Sequence, residues 1–216
     1  MDDFKSAAGG VGVCGLACSL FCCLICCGGY VTWLTFLGKY AYNNPNGEAW
    51  YGVVNDTPTL KGTEAELTAL NATDVVDVHA RFVAWFIWGF WQSMLPVFMV
   101  VISGLSAVIG QQSIAACLGG LGGCGMSCGG LFWWIYGMVW RFKPYGKFAS
   151  GDVVPETFSG EDYKDVFIAS YPDTNQYSSG NFMYIYYLIG WICLGVSCGC
   201  AILGAIVTCI VAACNK

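Results

Sequence analysis

The fourteen cysteines and the single histidine, His79, are the side chains best suited to hold a metal, and Cys22-Cys23-x-x-Cys26-Cys27 has the spacing that invites one. That chemistry needs four thiolates converging tetrahedrally on an ion. All four lie in one apolar run, where a single straight helix cannot wrap around a metal. Deprotonated thiolates in hydrocarbon are also costly. His79 lies far along the chain. The sequence therefore predicts no metal and no cofactor, and it makes the cysteines small, polarisable packing residues. S-acylation is the one further chemistry they invite, and the candidates nearest the ends of apolar runs are Cys14, Cys117 and Cys214.

Catalysis has little to draw on. No Asp, Glu, Lys, Arg or His falls within Ser6–Gly38, Phe82–Trp140 or Thr174–Asn215. Ionisable groups inside apolar helices mark proton relays, ion pathways and transport sites. Their absence argues against pumps, coupled transporters and intramembrane hydrolases. The intervening segments contain Ser, Asp and His79, without nucleophile-elbow or metal-ligand spacing. No catalytic residue is expected. The glycine run before Leu131 has neither a Walker lysine nor a preceding strand, so it reads as close helix packing. Gln92, Gln111 and Gln112 read as inter-helix hydrogen bonds and a turn.

The same charge pattern defines the elements. The chain is 56% hydrophobic and 11% charged, far from soluble usage. Each apolar block is long enough for one bilayer-spanning helix, and the middle block for two. The expected fold is an all-α membrane protein: one four-transmembrane-helix bundle over 1–216 with two polar loops on one side. The spans are about 11–38, 82–109, 114–140 and 183–213, and the loops about 39–81 and 141–182. Small residues repeat four apart at Cys14, Cys18 and Cys22, at Gly119 and Gly123, at Gly125 and Gly129, and at Gly195 and Gly199. Such pairs let helix backbones approach closely. Pro96 is expected to kink its helix. Gly110-Gln111-Gln112-Ser113 reads as a tight turn, and Thr63 and Glu66 have capping-box spacing for a short helix near 64–70.

An even number of spans puts both termini on one side and both long loops on the other. Aromatic residues then gather toward the loops, and glycine and cysteine toward the termini. From side-chain volumes alone, helices of this kind converge at the terminus side and bend the membrane toward the loops. Lysines and arginines near the loops favour cytosolic loops. Asn55-Asp56-Thr57 and Asn71-Ala72-Thr73 are glycosylation acceptors only if the loops are luminal. Cysteines confined to the spans and the terminus side fit a reducing cytosol there. The expectation is an integral, multi-pass protein with cytosolic termini and extracellular or luminal loops. Met1-Asp2-Asp3-Phe4-Lys5 is not the basic start of a standard signal peptide.

Trp140-Arg141-Phe142 is followed by Gly146-Lys147-Phe148-Ala149-Ser150-Gly151-Asp152. This resembles uncharacterised four-span membrane proteins of ciliates, in which Gly-Lys/Arg and Ser-Gly-Asp follow the third helix. There a cysteine often precedes Ser-Gly-Asp; here Ala149 takes its place. The layout also resembles MARVEL and claudin-type tetraspans, although no paired cysteines follow Trp50 as in the claudin first loop. The resemblance implies a structural organiser of membrane. The partners expected are membrane lipids and further copies, as a homo-oligomer or lattice, with other membrane proteins also open. The net charge of −5 is no nucleic-acid signal. The rival readings are an accessory subunit of a larger membrane complex and an oligomeric large-pore channel subunit.

Overall fold

The computed structural model describes residues 27–44, 47–152 and 163–214. Its chain contacts sort into two compact units: residues 1–43 with 86–127, and residues 44–85 with 128–216.

In the first unit, helix α1 is described over residues 27–42. It packs on helix α3, Val78–Val108, whose later part belongs to this unit. Leu37 and Phe86 are fully buried, and the Tyr40 ring stacks on Phe86 with centroids 4.9 Å apart. Gly38 lies against the Phe90 ring, at a distance where a Cβ would make ordinary contact. Polar rims are paired across the same contact: Trp33 Nε1 donates to Ser93 Oγ at 3.3 Å and Trp91 Nε1 donates to the Tyr42 hydroxyl at 2.8 Å. Pro96 lies inside α3, which runs on past it. Proline lacks the N–H that would bond the Gln92 carbonyl; the Tyr30 hydroxyl donates to the neighbouring carbonyl of Ser93.

The second unit corrects the expectation of a purely helical fold. Residues within the expected loop 39–81 build a three-stranded antiparallel sheet, β1 Trp50–Val54, β2 Thr57–Lys61 and β3 Thr73–Asp77, in the order β2-β1-β3. The reason is local. Aromatic and β-branched residues fill β1. Asn55 and Asp56, with φ of 49° and 63°, make the two-residue turn whose twist matches a hairpin. Pro58 is tolerated because β2 is an edge strand. Opposite β1, β3 carries a bulge where Asp74 takes φ of 52°.

Neighbouring residues of a strand point to opposite faces, and β1 uses both. Gly52 faces helix α2, Glu64–Ala69, where a Cβ would lie 3.0 Å from Ala72 Cβ and 3.1 Å from Leu67 Cδ2. Leu67 is fully buried there. Tyr51 faces helix α5, Pro144–Ala149, and its ring meets Tyr145 and Phe148. The sheet is thus held between two short helices.

Asp77 ends β3 and starts α3, its Oδ1 accepting from the Ala80 N–H at 2.8 Å. The helix therefore begins four residues before the expected 82. Gly110, at φ of 79°, closes α3, and Gln111 N–H returns to the Ser106 carbonyl at 2.8 Å. Helix α4, Gln112–Phe142, follows directly. Within the expected loop 141–182 lie α5 and helix α6, Tyr163–Ser170; helix α7 is Tyr177–Cys214. Among the described residues two helices are long and apolar enough to cross a membrane, over Val78–Ser106 and Tyr177–Cys209.

Candidate functional site

The polar centre of the second unit is built on Arg141, at the C-terminal end of α4. Its side chain is 1% exposed. Nη1 and Nη2 each donate to a carboxylate oxygen of Asp152, at 2.6 and 2.9 Å, and Nε donates to the Gly180 carbonyl at 2.7 Å. A two-pronged pair of this kind is the strong form of a charged hydrogen bond.

The sequence dictates how Asp152 reaches Arg141. Pro144 starts α5 at the one place where its missing N–H is harmless. Gly146 allows the helix to turn against the Trp140 and Arg141 carbonyls, which a Cβ would strike. Gly151 then ends α5 at φ of 76°. Its N–H bonds the Phe148 carbonyl and that of Asp152 bonds the Lys147 carbonyl, both at 2.9 Å. This double bond is the glycine-dependent helix stop, and it swings Asp152 back under α4. Gly180 completes the clamp, since a Cβ there would meet the Ser150 hydroxyl.

Beneath the clamp is an aromatic layer. Trp85 stacks on Trp133 at 4.7 Å, and Trp133 Nε1 donates to the Trp85 carbonyl at 2.8 Å. The Tyr187 hydroxyl donates to the Trp134 carbonyl at 3.0 Å. Gly137 admits Trp85 and Tyr187 where a Cβ could not fit. Above it, burial pushes the Tyr51 and Tyr171 hydroxyls to higher pKa, helped at Tyr51 by the charge of Asp74.

A polar cleft of about 370 Å³ opens beside the clamp, lined by Ser150, Gly151, Asp152, Tyr177, Asn181 and Tyr184. Among the described residues no group of acids, cysteines or histidine is placed to hold a metal ion.

The residues singled out by sequence are placed as follows. Asn55 and Asn71 are both exposed, each with positive φ. Asn71 serves as the left-handed stop of α2, its N–H on the Thr68 carbonyl and that of Ala72 on the Leu67 carbonyl. Gly195 and Gly199 lie on α7, where an added Cβ would meet nothing within 4 Å among the described residues. Gly129 is half-buried on α4. Gly119, Gly123 and Gly125 belong to α4, and their surroundings lie outside the described residues, as do Cys14, Cys18 and Cys22 altogether. Cys117 is exposed on α4, and Cys214 is the last residue of α7. The Arg141–Asp152 pair was not singled out. Its signal was present: an arginine ending a helix, then Pro144 and Gly151 at the start and stop positions of a short one.

No family model matches this chain, and neither does any curated protein or solved structure.

Proposed function

We propose that this is a four-span membrane protein that associates laterally with copies of itself and organises or curves its membrane. The observation that carries this reading is α7. From Leu188 to Cys209 not one residue is buried, and among the described residues an added Cβ at Gly195, Gly199 or Gly204 would meet nothing within 4 Å. A helix apolar all round needs an apolar surrounding. Lipid supplies it, and the small-residue face suits a second helix at close range. Helix α4 fits the same reading, with no charge before Arg141 and with Leu131, Phe132, Ile135 and Val139 exposed. The four spans comprise α3, α4, α7 and the apolar run at 11–38.

Reconstitution tests this. The full chain in liposomes of known orientation, imaged by electron microscopy, is expected to form ordered arrays, ridges or tubes with the loops on the convex face. Protein that stays dispersed as single copies at high density overturns the assembly reading.

A further inference from the structure

We propose that Arg81, Trp140 and Lys143 form a binding site for the phosphate of a membrane phospholipid. The Arg81 guanidinium lies 4.6 Å from the Trp140 ring centroid and the Lys143 ammonium 5.6 Å from the same ring. Lys143 also lies 5.8 Å from the Tyr145 ring, which itself packs on Trp140 at 5.3 Å. Two cations drawn onto one indole repel each other, so a shared anion between them is stabilising. Both are exposed while Trp140 is half-buried, so the charges are presented outward from an anchored ring.

Among the described residues no carboxylate supplies that anion. Among the described residues neither Arg81 nor Lys143 has an ion-pair partner; the acid one turn before Arg81, Asp77, is turned to cap α3 through Ala80. This is notable in a chain with fourteen acids against nine lysines and arginines. The position selects the ligand. Arg81 lies in the first turns of the apolar helix Val78–Ser106, and Lys143 follows the last residue of α4. Both therefore stand where apolar helix gives way to polar chain, the depth at which tryptophan rings and lipid phosphates meet. The inference rests on the membrane reading above, and goes beyond it by naming a headgroup site.

The test separates the two. The full chain is first floated with phosphatidylcholine liposomes; failure to float removes the membrane reading and the site with it. The detergent-purified chain is then offered equal amounts of phosphatidic acid and diacylglycerol with the same acyl chains, and retained lipid is read by native mass spectrometry. Phosphatidic acid is expected to be retained about tenfold over diacylglycerol, and Arg81→Gln with Lys143→Gln to abolish the preference. The control Lys61→Gln with Lys164→Gln is expected to keep it. Should the first variant lose its near-UV circular dichroism, Lys143→Gln alone carries the comparison. Equal retention of the two lipids, an equal loss in the control, or complete displacement by excess inorganic phosphate overturns the proposal.

Discussion

Arg141 is the one fully buried cation among the described residues, and each of its nitrogens is used: two on Asp152 and one on the Gly180 carbonyl. Removing one partner of such a pair leaves an uncompensated charge. Asp152 is 37% exposed, so water would replace part of what it supplies. Asp152→Ala is therefore expected to cost about 2–3 kcal/mol, lowering Tm by roughly 5–10 °C. Arg141→Lys should cost nearly as much, because an ammonium cannot grip two oxygens and a carbonyl in one plane. Thermal unfolding of the purified chain by circular dichroism checks both; a Tm unchanged in either would mean the clamp is ornamental. The exposed asparagines carry a different test. Asn71 holds a left-handed conformation, so Asn71→Gln would disturb the end of α2 as well as the acceptor. Thr73→Ala removes only the acceptor signal. It is expected to abolish a glycosidase-sensitive mass shift in the native protein, and a loop cut by protease only from the cytosolic side overturns the luminal placement. Tyr51 and Tyr171 give a pH dependence. Their folded pKa values are raised by burial, at Tyr51 also by Asp74. The unfolded chain loses these protons near pH 10, before the folded one does. Their contribution is thus full below that pH and fades as pH rises above it. Tyr51→Phe with Tyr171→Phe should flatten the alkaline loss of stability, measured as Tm against pH.

Elements in this chain are set by short signals at their ends, and some of those signals were readable. Thr63 and Glu66 have capping-box spacing, and both hydrogen bonds of the box are present at the start of α2. Gly110 marks the turn between α3 and α4, although the helices crowd it more closely than a four-residue turn would. The sheet was missed for a physical reason. Its strands are five residues each, too short for alternation to stand out. Gly52 and Pro58 further lower their strand character. The decisive cue was Asn55-Asp56, a pair suited to φ > 0 at both turn positions, set between β-branched residues. Charge counting assigned the segment to solvent and obscured it. Gly52 then becomes the test of the element. A valine there would drive into Ala72 and Leu67, which already lie about as close as a Cβ allows. Gly52→Val is expected to cost about 1–3 kcal/mol by overpacking, and to open the sheet selectively. Hydrogen exchange should show faster exchange in β1 and β2 with α7 unchanged. Uniform acceleration throughout the chain would contradict a locally held layer.

For the molecule as a whole, long-range charge segregation was the most legible feature, because no charge can sit unpaired in a long apolar helix. It located the apolar bodies of α3, α4 and α7 to within a few residues. It could not locate Arg141's partner, because that depends on a backbone stop at Gly151 ten residues on. Nor could small-residue spacing say which faces meet which. Gly195 and Gly199 have the spacing of a contact face and, among the described residues, nothing within 4 Å of an added Cβ. This separates two consequences that a glycine substitution usually mixes. At a packed glycine, added bulk weakens the fold and every assembly built from it. At Gly199 a leucine side chain meets open space among the described residues, so the fold should be indifferent. If a neighbouring copy approaches this face, the same leucine holds the backbones apart and costs about 1–3 kcal/mol at each contact. Gly199→Leu is therefore expected to keep the parent Tm in nanodiscs holding one copy, while shifting the protein from oligomer to monomer as membrane density rises. Single-molecule photobleaching across a series of protein-to-lipid ratios measures that shift. An oligomer population equal to the parent's would place the contact on another face. A fall in single-copy Tm would mean that the face is covered from within the chain.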